Sequence, residues 1–331
     1  MRNWKLSCLL ALGGLIAMGL VGCGGNESTS STPTTKASSS GTKVVGFAQV
    51  GAESAWRTAN TKSVQDEAKK RGYELKFADA QQKPENQIAA VRNFITQKVD
   101  VIVIAPIVET GWESVLRDAK DANIPVIMSD RRANVPEDYY VTFIGSDFVE
   151  EGRRAGNWLA EKMNGKEANI FQMEGTMGSA PQIDRKKGFE EVIKDKPNLK
   201  IIKSQTGEFT RAKGKEVMEA FLNSPEGKTC NVLFAHNDDM AMGAIQAIEE
   251  AGKKPGTDII IVSIDGIKDA FQAMVDGKLN CTVECNPLLG PQIFDAVDKV
   301  MKGETMPKRI PSKEGVFDQS KAKEELPNRV Y

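Results

Sequence analysis

Between Gly51 and Asn60 the chain reads GAESAWRTAN, setting Glu53, Trp56 and Arg57 within five positions directly after the apolar run VVGFAQV. A carboxylate and a guanidinium offer acceptors and a rigid fork of donors. The indole adds an apolar face. Other apolar runs end the same way: at Gln49, at Asp79 followed by Gln81, at Asp130-Arg131, at His236-Asn237-Asp238, at Asp265, and at Glu284 followed by Asn286. Arg185 stands early in DRKKGFEEVI, where a cation opposes the helix dipole and a ligand would account for it better. A polyol carries hydroxyls that donate and accept, together with an apolar C–H face. Carboxylates, amides, guanidiniums and one indole meet those needs.

Each of these residues also has a structural reading. Trp56 can be a core residue of the first helix, with Glu53 and Arg57 as a surface i, i+4 pair. Asp130 can cap a turn with Arg131 paired to it, and Asp265 before Gly266 is open to the same reading. Asn237 and Asp238 can cap the next helix, Asp238 filling that role while Asn237 faces a cleft.

Catalytic chemistry finds little support. The chain has one histidine, His236, one residue past an apolar run, where a structural role is the simpler reading. HExxH, GxSxG and GxGxxG are absent, and the lone Gly227-Lys228-Thr229 lacks the first glycine of GxxxxGK[ST], Leu222 standing there; this removes the familiar zinc, hydrolase, dinucleotide and phosphate-loop signatures. Asp238 and Asp239 are adjacent and point apart, a poor pair for glycosidase work. No Asp-rich loop has calcium spacing. No catalytic residue, metal or cofactor is expected.

The elements that must position these side chains follow from hydrophobic patterning. VVGFAQV, ELKFADA, VDVIVIAP, PVIMSD and YVTFIG read as strands, with helical patterns near 55–71, 85–97 and 110–122 between the first four. Near-continuous Val/Ile runs joined by helices imply a parallel sheet covered on both faces. The pattern restarts with a helix near 149–164, then ANIFQME, LKIIKSQ, NVLFAH and IIIVSID. The expectation is α/β, two doubly wound parallel-sheet lobes joined by a three-crossing hinge. One lobe spans 43–146 plus 267–285, and the other spans 147–266 plus 286–331. A ligand would sit between the strand ends of the two lobes.

At 331 residues and 40 % hydrophobic composition the chain can bury two cores, and 44 basic against 45 acidic residues give no pull towards nucleic acid. The start, MRNWK followed by CLLALGGLIAMGLVG, reads as a signal peptide over 1–22, too short for a spanning helix. Leu20-Val21-Gly22-Cys23 resembles a lipoprotein box, with Cys23 as the acylated thiol. Residues 23–42, rich in Ser and Thr, then form a flexible tether. The mature protein is expected outside the cytoplasm, held to a membrane by its lipid. If Cys281 and Cys285 share a strand they lie roughly 13 Å apart, too far to bond; all three of Cys230, Cys281 and Cys285 are expected as buried free thiols, a pairing with Cys230 being the alternative.

With those features in view, the chain from about Lys43 to Lys323 resembles the type I periplasmic sugar-binding proteins of ABC importers, the ribose- and galactose-binding group. The resemblance rests on VGFAQVGAESAWRTAN, ADAQQKPENQIAAVRNFI, VIVIAPIVETGWESVL, IDRKKGFEEVIK, GEFTRAKGKEVMEAF, AHNDDMAMGAIQAIEEAG, SIDG and GKLNCTVECNP. ESAWR, QQKPENQ and ETGW point to the galactofuranose-binding branch rather than to ribose or xylose binders. The resemblance implies a monomer that takes a monosaccharide between its lobes and delivers it to a membrane permease and its ATPase. Other pentoses, hexoses or polyols, or docking onto a sensory receptor, are the alternatives. It implies ligand contacts from Glu53, Ser54, Ala55, Trp56 and Arg57, from Asp130 and Arg131, and from Arg185, Asn237 and Asp265. Gln49, Gln81 and Glu284 are further candidates from the strand ends. Ala55 stands where the family pattern has glycine.

Overall fold

The computed structural model describes residues 41–331. The expected signal peptide, the Cys23 acylation site and the tether up to residue 40 lie outside them. Strands β1 (Val44–Gln49), β2 (Glu74–Asp79), β3 (Val101–Ile104), β4 (Val126–Ser129) and β5 (Thr142–Gly145) are followed by β6 (Ala168–Glu174), β7 (Leu199–Thr206), β8 (Val232–Ala235), β9 (Ile260–Asp265) and β10 (Cys281–Glu284). Two short strands, β11 (Arg309–Pro311) and β12 (Val316–Asp318), come last. They form two six-stranded sheets, ordered β11-β5-β4-β3-β1-β2 and β12-β10-β9-β8-β6-β7. Strand pairs are parallel except β10 with β12. The central strands β3, β4 and β8 are buried along their whole length, as their unbroken apolar runs require when helices cover both faces.

The lobe boundaries differ from the sequence expectation. The segment 267–285 was assigned to the first lobe, yet β10 pairs with β9 in the second sheet, Cys281 opposite Val262 and Glu284 opposite Asp265. Helix α8 (Lys268–Val275) buries Ala270, Phe271 and Met274 in the same core. The unit β9-α8-β10 is a compact crossover, and such a unit returns its second strand to the sheet it left. The stretch after residue 286 was assigned to the second lobe, yet α9 (Gly290–Met301) packs Ile293, Phe294 and Val297 against Val45, Phe47 and Val64 of the first. Strand β11 then joins β5, and only β12 and α10 (Gln319–Glu325) return to the second lobe. The crossings therefore fall near 146, 285 and 312 rather than near 146, 266 and 286.

The helices that carry the site begin at well-made caps. In α1 (Ala55–Arg71) the Ser54 side chain accepts from the Arg57 N–H, and in α4 (Phe148–Met163) Asp147 accepts from Glu150. In α5 (Ala180–Ile193) Ser179 accepts from Gln182, and in α7 (Asp238–Glu250) Asn237 accepts from Met240. Each cap satisfies an orphan N–H and sets the angle at which its helix leaves the strand end. Cys230, Cys281 and Cys285 are buried free thiols.

Candidate functional site

A cavity with about 290 Å³ of atom-free space lies between the lobes. Its first-lobe wall carries Glu53, Ser54, Trp56, Arg57, Asp130 and Arg131. The second-lobe wall carries Phe148, Pro181, Arg185, Phe209, Asn237 and Asp265, with Cys285 at the hinge. Three carboxylates face three guanidiniums, a balanced formal charge that fits a neutral polar guest better than an ion.

On the first lobe, the Glu53–Arg57 pair is buried, each side chain 2 % exposed. Arg57 Nε donates to Glu53 Oε1 at 3.0 Å, and Arg57 Nη1 donates to Gln49 Oε1 at 3.2 Å. Burial works against the Arg57 charge, but Asp130 and Glu53 outweigh it and hold the guanidinium above its ordinary pKa. Arg131 is the reverse case. Burial, and then the Arg57 charge, push it down to about 10. Among the described residues its one side-chain hydrogen bond runs from Nη1 to the Ile107 carbonyl at 3.3 Å, and its Nε has no partner. Glu53 Oε2 is likewise buried and unpartnered. Asp130 Oδ2 is held in a 2.8 Å ion pair by Arg57 Nη2 and has no further partner among the described residues. Buried polar groups are costly unless paired, and these three border the cavity.

On the second lobe, Arg185 Nε donates to Glu151 Oε2 at 2.8 Å and Nη1 to the His236 carbonyl at 2.5 Å. Burial opposes its charge, and the Glu151, Cys285 and Asp265 groups more than offset that, raising it. Burial pushes the Asp265 carboxyl well above its ordinary range against the pull of Arg185, 3.5 Å away. His236 itself is buried and held far below its usual pKa by burial and then by Arg185. It supports Arg185 through its backbone and does not line the cavity, in keeping with a structural histidine.

Asn237 lines the cavity as expected, and it also takes the cap expected of Asp238. Asn237 caps α7 and its Nδ2 also donates to the Phe209 carbonyl at 3.2 Å. Asp238 is not the cap; its Oδ2 accepts from Gly266 N at 2.7 Å and Ile267 N at 2.9 Å, and Oδ1 accepts from Ser263 and Thr282 hydroxyls. It braces the turn that leaves Asp265 with φ 134°. Asp130, at the end of β4, has φ 61°. Non-glycine residues in this region are strained and concentrate where function needs a side chain aimed out of line.

Four of the named candidates do not line the cavity. Ala55 gives its backbone N–H to Asp239 Oδ2 across the lobes at 2.7 Å, a contact its methyl takes no part in. Gln49 lies behind Arg57, with Nε2 donating to Asn60 at 2.9 Å. Gln81 is exposed in the turn after β2, where Asp79 accepts its N–H. Glu284 points to the other side of its strand, accepting from Arg329 Nη1 at 2.7 Å and Gly315 N at 3.0 Å. Trp56 combines both readings given to it, lining the cavity while its indole N–H donates to the Cys285 carbonyl at 2.6 Å.

Phe148, Pro181, Phe209 and Cys285 escaped the sequence reading, which searched for polar strand ends. Phe209 has φ 61° and sits over Gly175, where a Cβ would come within 1.8 Å of the ring. The glycine in MEGTMG was the available signal.

Residues 45–305 match a family model described as a periplasmic binding protein domain. Galactofuranose-binding protein YtfQ of Escherichia coli (strain K12) is 52 % identical over 285 residues, covering 85 % of this chain and 90 % of that protein. A solved structure from Mycobacterium smegmatis in complex with β-D-fucofuranose is 55 % identical with a TM-score of 0.84, covering 86 % of this chain and 94 % of that one. The periplasmic binding protein component of the arabinose ABC transporter from Shewanella sp. ANA-3, bound to α- and β-L-arabinofuranose, is 54 % identical with a TM-score of 0.84 over 87 % and 96 % of the two chains. With a match of this length and two parallel-sheet lobes closed around a small polar cavity, the chain belongs to the periplasmic binding protein family.

Proposed function

We propose that the chain binds one monosaccharide between its lobes, galactofuranose or a closely similar furanose, and delivers it to the permease of an ABC importer. The observation that carries this reading is the set of unspent groups at the cavity wall: among the described residues Glu53 Oε2 and Arg131 Nε are buried with no hydrogen-bond partner, and Asp130 Oδ2 has none beyond its ion pair with Arg57. Sugar hydroxyls, each donor and acceptor, satisfy all three at once. The furanose preference is supported by three relatives above 50 % identity whose names or titles carry galactofuranose, fucofuranose or arabinofuranose. The family places the protein outside the cytoplasm. Acylation at Cys23 would hold it at the membrane, and the tether would let it reach a permease. Ligand contacts are assigned to Glu53, Ser54, Trp56, Arg57, Asp130, Arg131, Arg185, Asn237 and Asp265, with Phe148 and Phe209 as apolar walls.

Binding without turnover is the reading that the relatives' names support, each being named for binding or for a bound sugar. Equilibrating the purified protein with galactose and arabinose, each present in water as interconverting furanose and pyranose rings, tests this: NMR of the bound ¹³C-labelled sugar reads the ring form, and analysis of the molecules released on denaturation reads their integrity. One intact furanose per chain is expected. A cleaved or modified sugar, or release of nothing, would contradict the proposal.

A further inference from the structure

Beside the cavity, at its lip, a second set of charges joins the lobes without facing the pocket. Arg132, in the loop after β4, reaches across to Asp184 of α5, with Nη2 donating to Oδ1 at 3.1 Å and Nη1 paired with Oδ2. The same Nη2 stands 2.7 Å from Glu109 Oε1 of its own lobe. Glu109 also gives its backbone N–H to the Gly178 carbonyl of the second lobe at 3.0 Å, and its carbonyl accepts from Asn134 N at 2.8 Å. Two carboxylates, 14 % and 10 % exposed, thus share one guanidinium. Glu109 titrates above its ordinary range because of burial, with Arg132 pulling it down and Asp184 pushing it up.

The sequence neighbours give this arrangement its meaning. Arg131 and Arg132 are adjacent, as are Asp184 and Arg185. In each pair one residue lines the cavity and the other reaches across the lip. Closing the lobes on a guest brings Arg131 and Arg185 towards each other, and the Arg185 charge disfavours that of Arg131. The same motion seats Arg132 on Asp184. We propose that Arg132, Asp184 and Glu109 form a closure clasp, in which Arg132 converts two mutually repelling carboxylates into an interlobe contact that offsets the repulsion between the pocket arginines. This rests on the sugar-binding reading for its use, although the clasp itself is a property of the two lobes.

The clasp makes an asymmetric prediction. Asp184→Asn removes one partner and leaves Arg132 on Glu109. Arg132→Ala leaves Glu109 and Asp184 facing each other across the lip with nothing between them. A contact specific to the closed state contributes to apparent affinity through the closed population alone. Arg132→Ala should therefore release sugar faster and bind about tenfold more weakly, with the ranking among sugars unchanged. The double variant Arg132→Ala/Asp184→Asn should recover the part of that loss that comes from the two facing carboxylates, which simple loss of a contact would not allow.

The test uses the full lobes with one fluorophore pair across the cleft, reading interlobe distance with and without galactose and arabinose, alongside affinity and release rate for each. A shift of Arg132→Ala towards open distances, partly reversed in the double variant, is expected. Identical distance distributions for Arg132→Ala and wild type, additive losses in the double variant, or a changed order of sugars would each overturn the clasp. If wild type binds neither sugar, the sugar assignment fails, while the distance distributions still decide the clasp.

Discussion

Arg131 and Glu151 occupy buried positions that cost stability, and both sit at the guest cavity or one contact behind it. Glu151 accepts from Arg185 on one oxygen and has no partner on the other, with Cys285 Sγ and a Glu314 oxygen within 4.8 Å. Burial raises its carboxyl to about 8; Arg185 lowers it and Glu314 raises it further. The sign of the consequence follows from proton linkage. Between the ordinary carboxylate value of 4.5 and the folded value of about 8, the folded chain holds a proton that the unfolded chain has released. The group's contribution to stability is fully present below the lower value and is lost as pH rises through the upper. Melting temperature should therefore fall between about pH 5 and pH 8.5 more steeply in wild type than in Glu151→Gln. Parallel profiles for the two proteins would contradict the assignment. The polar residues of the cavity were legible in the sequence because they end apolar strands. Glu151 was not, since it lies in the first turn of an amphipathic helix, where an acidic residue ordinarily faces water and complements the helix dipole.

At the scale of elements, the site depends on how chains leave their strands. β4 and β9 both end in an aspartate with positive φ, at Asp130 and Asp265. The loop after β7 turns Phe209 inward through a left-handed pair, Glu208 and Phe209. Phe209 then stacks beneath Arg131, whose guanidinium carbon lies 5.3 Å from the ring centroid. Gly175 makes this possible, because a methyl there would overlap the ring edge at 1.8 Å. Gly175→Ala should displace Phe209, cost about 1–3 kcal/mol of stability as overpacking does, and weaken sugar binding in the protein that still folds. Unaltered melting and affinity would show that the ring moves freely and plays no structural part. Strands and helices were readable from Val/Ile runs and helical periodicity, so the sheets and the order of elements were legible. The lobe to which α9 belongs was not. Periodicity shows which helix face is apolar, not which sheet will cover it, and Ile293, Phe294 and Val297 would suit either core.

Across the whole molecule, the lobes meet through direct contacts as well as through the chain crossings. The Ala55 N–H meets Asp239, the Trp56 indole meets the Cys285 carbonyl, and Arg132 meets Asp184. Glu314, on the third crossing, accepts from the Ser146 hydroxyl of the first and the Asn286 N–H of the second, so one carboxylate ties all three hinge strands. A guest that touches both walls adds its contacts to this closed state and not to an open one. The central claim is that one furanose fills the cavity by pairing with Arg131 and the buried carboxylates. Calorimetric titration of residues 42–331 with galactose, arabinose and ribose, in wild type and Arg131→Ala, with NMR of the bound ¹³C-labelled sugar to read its ring form, tests it most directly. The account predicts one sugar bound per chain as its furanose ring, with ribose weaker and with Arg131→Ala weakening binding by about 3 kcal/mol because the pocket carboxylates lose a charged donor. Undiminished affinity in a folded Arg131→Ala protein, or preference for a pyranose, would contradict it.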